Sequence, residues 1–275
     1  MSTCSPTPTI LSLQDLDGVV EGHNPQTGAF EYITFYTFND DDVVFFGKLS
    51  QPRDEASVSD INAALERVPD CSIFPVLPLD PELTIAPEAS TQQDDCFIKR
   101  PNMSVYELFV DHDREDTEPG NDGFLARTLL SEALIMQRLS GHPHPNLAKY
   151  HGVRVRRGRI TGLVFKRYQR TLLDHVRQGL HIDQDEVLHA LEPAVTHLHS
   201  LGLAHNDIHP ENIMMDPDST PVLIDFGSCQ PFGKRLVTRG TEGWVDDMGC
   251  LDALEGGARQ VRAWEASGVA RLSLV

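Results

Sequence analysis

The chain has 275 residues, 40% of them hydrophobic, enough for one large domain or two small ones with an apolar core. Its formal net charge of −18 opposes non-specific binding to nucleic acid or to an anionic membrane surface. No apolar run reaches membrane-spanning length, no basic-plus-apolar leader stands at Met1, and the five cysteines show no C-x-x-C spacing; a soluble protein of a reducing intracellular compartment, cytoplasm or nucleus, is expected.

Residues 1–27 are rich in Ser, Thr, Pro and Gly and are expected to lack a fixed fold. Two strand-like runs follow, Phe30 to Phe38 and Val43 to Leu49, separated by the acidic turn Asn39-Asp40-Asp41-Asp42, which predicts a hairpin. Ser59-Asp60 is expected to cap a short helix through about Val68. The stretch from Pro69 to Pro87 holds five prolines and reads as an irregular connector.

Cys96-Phe97-Ile98-Lys99 then reads as a short apolar strand ending in lysine. After an acidic loop from Asp111 to Gly123, the periodicity of Leu125, Leu129, Glu132, Met136 and Leu139 predicts a helix over Phe124 to Leu139, with Gly141 past its end. Asn146 to Val155 and Arg159 to Tyr168 read as paired strands around Arg157-Gly158. Thr171 to Gln178 predicts a short helix. Asp185 to Leu201 predicts a longer one, with Pro193 inside it, and a hairpin from Ile213 to Ile224 carries the chain into Asp225. Arg154, Arg156, Arg157 and Arg159 read as a solvated basic turn.

The most specific signal is His205-Asn206-Asp207-Ile208-His209-Pro210-Glu211-Asn212 followed by Asp225-Phe226-Gly227. Read as H-x-D-x-x-x-x-N and D-F-G, the two resemble the catalytic and metal-binding loops of protein kinases. The order strand lysine, helix glutamate, paired strands, helix and two loops resembles that family from roughly Cys96 to Trp244. The resemblance implies an α+β, bilobal fold: a small β-rich N-terminal lobe at 91–168 and a truncated, mostly helical C-terminal lobe at 169–275. Residues 28–90 would add an accessory hairpin, helix and connector.

The same resemblance implies roles. Lys99 would grip the α- and β-phosphates of ATP and Glu132 would hold Lys99. Asp207 would orient the acceptor hydroxyl, with Asn212 and Asp225 as ligands of magnesium. The backbone of Lys166, Arg167 and Tyr168 would meet the adenine. "GTEGW" (Gly240 to Trp244) resembles the end of an activation segment.

Three departures qualify the resemblance. No glycine lies between Pro78 and Asp95, where a glycine-rich phosphate lid would stand; Leu83-Thr84-Ile85 would replace the preceding strand. Asn206 stands where the family usually has an arginine that receives an activation-segment phosphate, which implies activity independent of such phosphorylation. His209 replaces a lysine, as in the aminoglycoside and choline kinases, and a neutral imidazole stabilises γ-phosphate charge less than an ammonium. The layout with a possible last helix from Leu251 to Ala266 resembles short, divergent kinase-like proteins of filamentous fungi.

The expected function is therefore a monomeric ATP- and magnesium-dependent protein kinase acting on a Ser/Thr hydroxyl of a protein substrate. A pseudokinase scaffold and a small-molecule kinase are the alternatives.

Overall fold

The computed structural model describes residues 7–88, 94–109, 123–234 and 241. The fold is mixed α+β, rich in strands towards the N-terminus and with its long helices later. The chain divides into two units that alternate along the sequence. The first takes the described residues of Met1–Leu79, Arg100–Leu129 and Val155–Gly162; the second takes those of Asp80–Lys99, Leu130–Arg154 and Leu163–Val275. The activation-segment expectation, apart from Thr241, and the last helix lie outside the described residues.

The first unit is built on a four-stranded antiparallel sheet in sequence order: β1 (Gly18–His23), β2 (Phe30–Phe38), β3 (Val44–Leu49) and β4 (Glu66–Arg67). Ile33 and Phe35 of β2 and Phe45 of β3 are buried with Ile10, and with Ile61 of helix α1 (Val58–Ala64). In the β2–β3 turn Asn39 Oδ1 accepts from the N–H groups of Asp41 (3.0 Å) and Val43 (2.8 Å), the local bonding for which Asn is favoured in turns. That leaves Asp42 in the left-handed region, φ 58°, with its carboxylate fully buried.

Two expectations are corrected here. Residues 1–27 do not lack structure throughout, because β1 and a 3-10 turn at Leu13–Asp15 fall within them. The glycines that disguise β1 as a loop are what it needs: a Cβ at Gly18 or Gly22 would lie 2.5 Å from the Tyr36 ring or 2.3 Å from the Tyr32 ring. The α1 cap is Ser57 rather than Ser59. Ser57 Oγ accepts from the Asp60 N–H and the Asp60 carboxylate from the Ser57 N–H, each at 3.2 Å, a closed capping box.

The arginine hairpin is a third correction. Arg157 Nε bonds Asp70 Oδ2 at 2.6 Å, at the start of helix α2 (Asp70–Ile73), and Arg159 Nη1 bonds the Phe74 carbonyl at 2.6 Å. Arg157 and Arg159 are thus held by their own chain, although Arg157 stays exposed to solvent.

In the second unit, β5 (Cys96–Lys99) pairs antiparallel with the end of a hairpin strand, Lys99 opposite Leu163. The long helix α3 (Phe124–Ser140) brings Glu132, Ala133 and Met136 into this unit's interior. The hairpin strands β6 (Tyr150–Arg156) and β7 (Arg159–Lys166) complete a sheet in the order β5-β7-β6. Leu83-Thr84-Ile85 does stand beside β6, but only through single bonds: Val153 N–H to Thr84 O (2.8 Å) and Ala86 N–H to Val153 O (2.9 Å). The approach is close enough to require glycine at 152, φ +128°, where a Cβ would lie 2.5 Å from the Thr84 carbonyl oxygen.

The remaining elements are β8 (Arg170–Thr171), α4 (Leu172–Arg177), α5 (Gln184–Ser200), β9 (Leu203–Ala204), β10 (Ile213–Met215), β11 (Pro221–Leu223) and β12 (Gln230–Pro231). Asp183 caps α5 by accepting from the Glu186 N–H at 3.1 Å, and the apolar stripe Val187, Leu191, Val195 and Leu198 is buried. Pro193 lies within this helix, which continues to Ser200. The β9–β12 and β10–β11 pairs hold the two motif loops between them. Among the described residues no helix is long and apolar enough to cross a membrane.

Candidate active site

Lys99 closes β5, and its ammonium is enclosed by two carboxylates. Nζ lies 2.7 and 2.8 Å from the two oxygens of Glu132 and 2.8 Å from Asp225 Oδ1. Burial works against the ammonium, but Glu132 and then Asp225 more than offset it and hold the Lys99 pKa above its ordinary value. Glu132 is 4% exposed, and burial pushes its carboxyl upward while Lys99 pulls it back. Asp225 is less enclosed; burial raises its pKa, yet the Lys99 charge prevails and leaves it lowered. One cation thus faces two anions, a surplus of negative charge suited to a further cation.

The loop between β9 and the 3-10 turn Pro210–Asn212 carries the second group of residues. His205, 1% exposed, contacts Ile224 O through Nε2 at 3.0 Å and accepts the Asp207 N–H on Nδ1 at 3.3 Å. The two partners assign a neutral ring protonated on Nε2, in keeping with a pKa lowered by burial. Asn206, φ 64°, donates through Nδ2 to Ala204 O (2.9 Å) and Ser228 O (3.0 Å). Where an arginine would reach for a phosphate, this short side chain instead ties the loop to the chain beyond Asp225. Asparagine also tolerates the left-handed backbone that the turn requires.

Asn212 Nδ2 donates to both the carbonyl and the Oδ2 of Asp207, each at 3.0 Å. His209 Nε2 lies 3.7 Å from the same Oδ2, and the Thr241 N–H reaches Oδ1 at 2.8 Å. Burial raises the Asp207 pKa, but the His209 contact and the Thr241 N–H outweigh it and bring it down to about 2. Asp225, φ 60°, receives the Gly227 N–H on Oδ1 at 3.1 Å, so its Oδ2 bears no hydrogen bond among the described residues. Cys229, buried after the same loop, has its thiol pushed up to about 12 by burial and is inert.

A cavity of about 360 Å³ opens beside the lysine cluster, lined by Phe97, Ala148, Phe165, Met214 and Ile224, with Lys99 and Asp225 at its polar end. Its size and mostly apolar walls are those of a small-ligand site. A larger cavity of about 480 Å³, near His142, His144 and Lys149, reaches neither Lys99 nor Asp225. Lys166, Arg167 and Tyr168 also line the smaller cavity. Two of their N–H groups are already used, Lys166 N–H by Lys149 O (2.9 Å) and Arg167 N–H by Asp95 O (2.6 Å). Tyr168 N–H has no such bond among the described residues.

The donor set fits magnesium and a nucleotide. Asn212 Nδ2 is spent on Asp207, which leaves Oδ1 for a cation, and Asp225 offers Oδ2. Among the described residues no group of three or more His, Cys, Asp and Glu forms a metal cage. Magnesium bound with phosphates requires none, since one or two protein ligands, phosphate oxygens and waters complete its shell.

The Thr241 contact was not legible in the sequence, because a backbone N–H has no residue signature. The "GTEGW" pattern locates the segment but not the atom.

A family model, the protein kinase domain, matches residues 108–246, 139 of the 275 residues, and the chain belongs to that family. Lys99 lies nine residues before the match, so its place in the site rests on the geometry above. Among curated relatives, MAP kinase kinase kinase SSK2 of Saccharomyces cerevisiae is 33% identical over 104 residues, 36% of this chain and 6% of the relative. MAP kinase kinase kinase win1 of Schizosaccharomyces pombe is 29% identical over 113 residues, 40% and 8% respectively. Serine/threonine-protein kinase/endoribonuclease IRE1 of Hypocrea jecorina is 30% identical over 122 residues, 37% and 10%. The chain thus spans a tenth or less of the length of these relatives.

Proposed function

We propose that this chain is an ATP- and magnesium-dependent phosphotransferase that acts on a Ser/Thr hydroxyl of a protein substrate. The observation that carries this reading is the Lys99 ammonium held at 2.7 Å by Glu132 and 2.8 Å by Asp225, at the polar end of an apolar cavity. Similarity to serine/threonine kinases supports it from the sequence side.

In this reading Lys99 binds the α- and β-phosphates and Glu132 keeps it extended towards them. Asp225 and Asn212 hold the magnesium, which when bound neutralises charge on the phosphates. The adenine enters the apolar cavity, with the Tyr168 N–H as the available backbone donor. Asp207, ionised at any physiological pH, orients the acceptor hydroxyl; a carboxylate of such low pKa accepts the proton only as transfer proceeds. His209 sits beside it, with Nε2 3.7 Å from its Oδ2. The acidic surface and free cysteines suit a soluble protein of the cytoplasm or nucleus that avoids nucleic acid.

A second reading is a non-catalytic binding module. Both Asp207 oxygens already hold donors from the chain itself, Thr241 N–H on one and the Asn212 amide on the other. Labelled-phosphate transfer separates the readings. Incorporation into a generic protein acceptor, lost in Asp207→Asn, is expected. Binding of Mg-ATP with no transfer to protein would favour the module, and transfer to choline or an aminoglycoside alone would move the acceptor class to small molecules.

A further inference from the structure

We propose that Arg100 is a positioning residue for Lys99, anchored by Asp42 of the N-terminal segment. Arg100 is the next residue in the chain after Lys99. Its Nε and Nη2 bond one oxygen, Asp42 Oδ1, at 3.1 and 3.0 Å, and its guanidinium lies 5.1 Å from the centre of the Phe38 ring. This is no loose surface pair. Asp42 is fully buried, its Oδ2 accepts from Thr161 Oγ1 at 2.7 Å, and its carbonyl accepts from Arg157 Nη2 at 3.3 Å. The buried carboxylate is bound on both oxygens and the residue's own carbonyl is held as well; with its backbone in the left-handed region, Asp42 passes that constraint to Arg100.

Lys99 Nζ meets Glu132 at 2.7 Å, so the backbone at Lys99 must leave β5 at a fixed point. Arg100, the next residue, fixes that point without touching the cluster. In a site where displacement by about 1 Å can cost roughly 100-fold, the anchor bears on phosphate binding.

The kinetic part of the test rests on the phosphotransfer reading; a hydrogen-exchange measurement does not. The full chain is compared with Arg100→Ala and with Arg100→Lys, which keeps the charge but not the fork. For folded Arg100→Ala we expect KM for Mg-ATP to rise about tenfold with kcat nearly unchanged, and Arg100→Lys to recover part of the loss. Amides of Cys96–Lys99 should exchange about tenfold faster while those of Gln184–Ser200 keep the wild-type rate.

Wild-type KM and wild-type exchange at Cys96–Lys99 in folded Arg100→Ala would overturn the proposal. Should that variant fail to fold, the same result in Arg100→Lys overturns it, and a raised KM with faster local exchange supports it. Faster local exchange in a chain whose wild type transfers no phosphate would sustain the positioning role and count against phosphotransfer.

Discussion

Lys99 Nζ is bound by both carboxylate oxygens of Glu132, at 2.7 and 2.8 Å, although 33 residues separate the two. Glu132→Gln keeps the shape and removes the charge. Lys99 would then keep Asp225 as its one carboxylate partner among the described residues, in competition with the magnesium proposed to bind there. A charge-assisted bond of this kind contributes about 1.5–3 kcal/mol, so kcat/KM for Mg-ATP should fall roughly 10- to 100-fold. Lys99→Met should abolish measurable transfer in the same steady-state assay.

Asp207 sets an acid limit. Its pKa is lowered from the ordinary 3.8 to about 2, so the ionised form is favoured by the fold. The stability this contributes is complete above the unfolded value near 4 and is lost as pH falls through about 2. Urea unfolding of wild type and Asp207→Asn should therefore converge between about pH 4 and pH 2.

Asn206 holds a left-handed backbone and bonds the buried Ala204 carbonyl and the half-buried Ser228 carbonyl. Restoring the family's arginine by Asn206→Arg should destabilise the chain by about 1–3 kcal/mol, since a long side chain must leave both carbonyls unbonded. Denaturant unfolding reads the loss. A stability equal to wild type would remove Asn206 as the tie between the loop and Ser228.

Asp42 predicts a larger effect. Asp42→Ala removes the partner of the partly exposed Arg100, empties a fully buried site and leaves the buried Thr161 hydroxyl without its acceptor, which alone costs about 1–3 kcal/mol. Gly152→Ala should cost about 1–3 kcal/mol for a different reason, a Cβ pressed on the Thr84 carbonyl at positive φ. Both are measured by chemical denaturation.

Much of the site could be read before the fold was seen. Glu132 declares itself through helical period, and the two loops through acidic residues at fixed spacing, because such groups are covalently close or rhythmically placed. What escaped reading was tertiary. β1 hides because Gly18 and Gly22 read as a turn until the tyrosine rings that need them are in place. The arginines of the β6–β7 hairpin look solvated until Asp70 and the Phe74 carbonyl reach them. The Thr241 N–H and the Asp42–Arg100 bond carry no pattern in sequence, since one is backbone and the other joins residues 58 apart.

The most direct test of the central claim is thermal stability with ATP, with and without magnesium, for wild type and Asp225→Asn. A site built on Lys99, Asn212 and Asp225 predicts a magnesium-dependent rise in Tm that the variant loses, of the size set by RT ln(1 + [L]/Kd). No shift of the wild type at millimolar Mg-ATP, or an equal shift in Asp225→Asn, would contradict it.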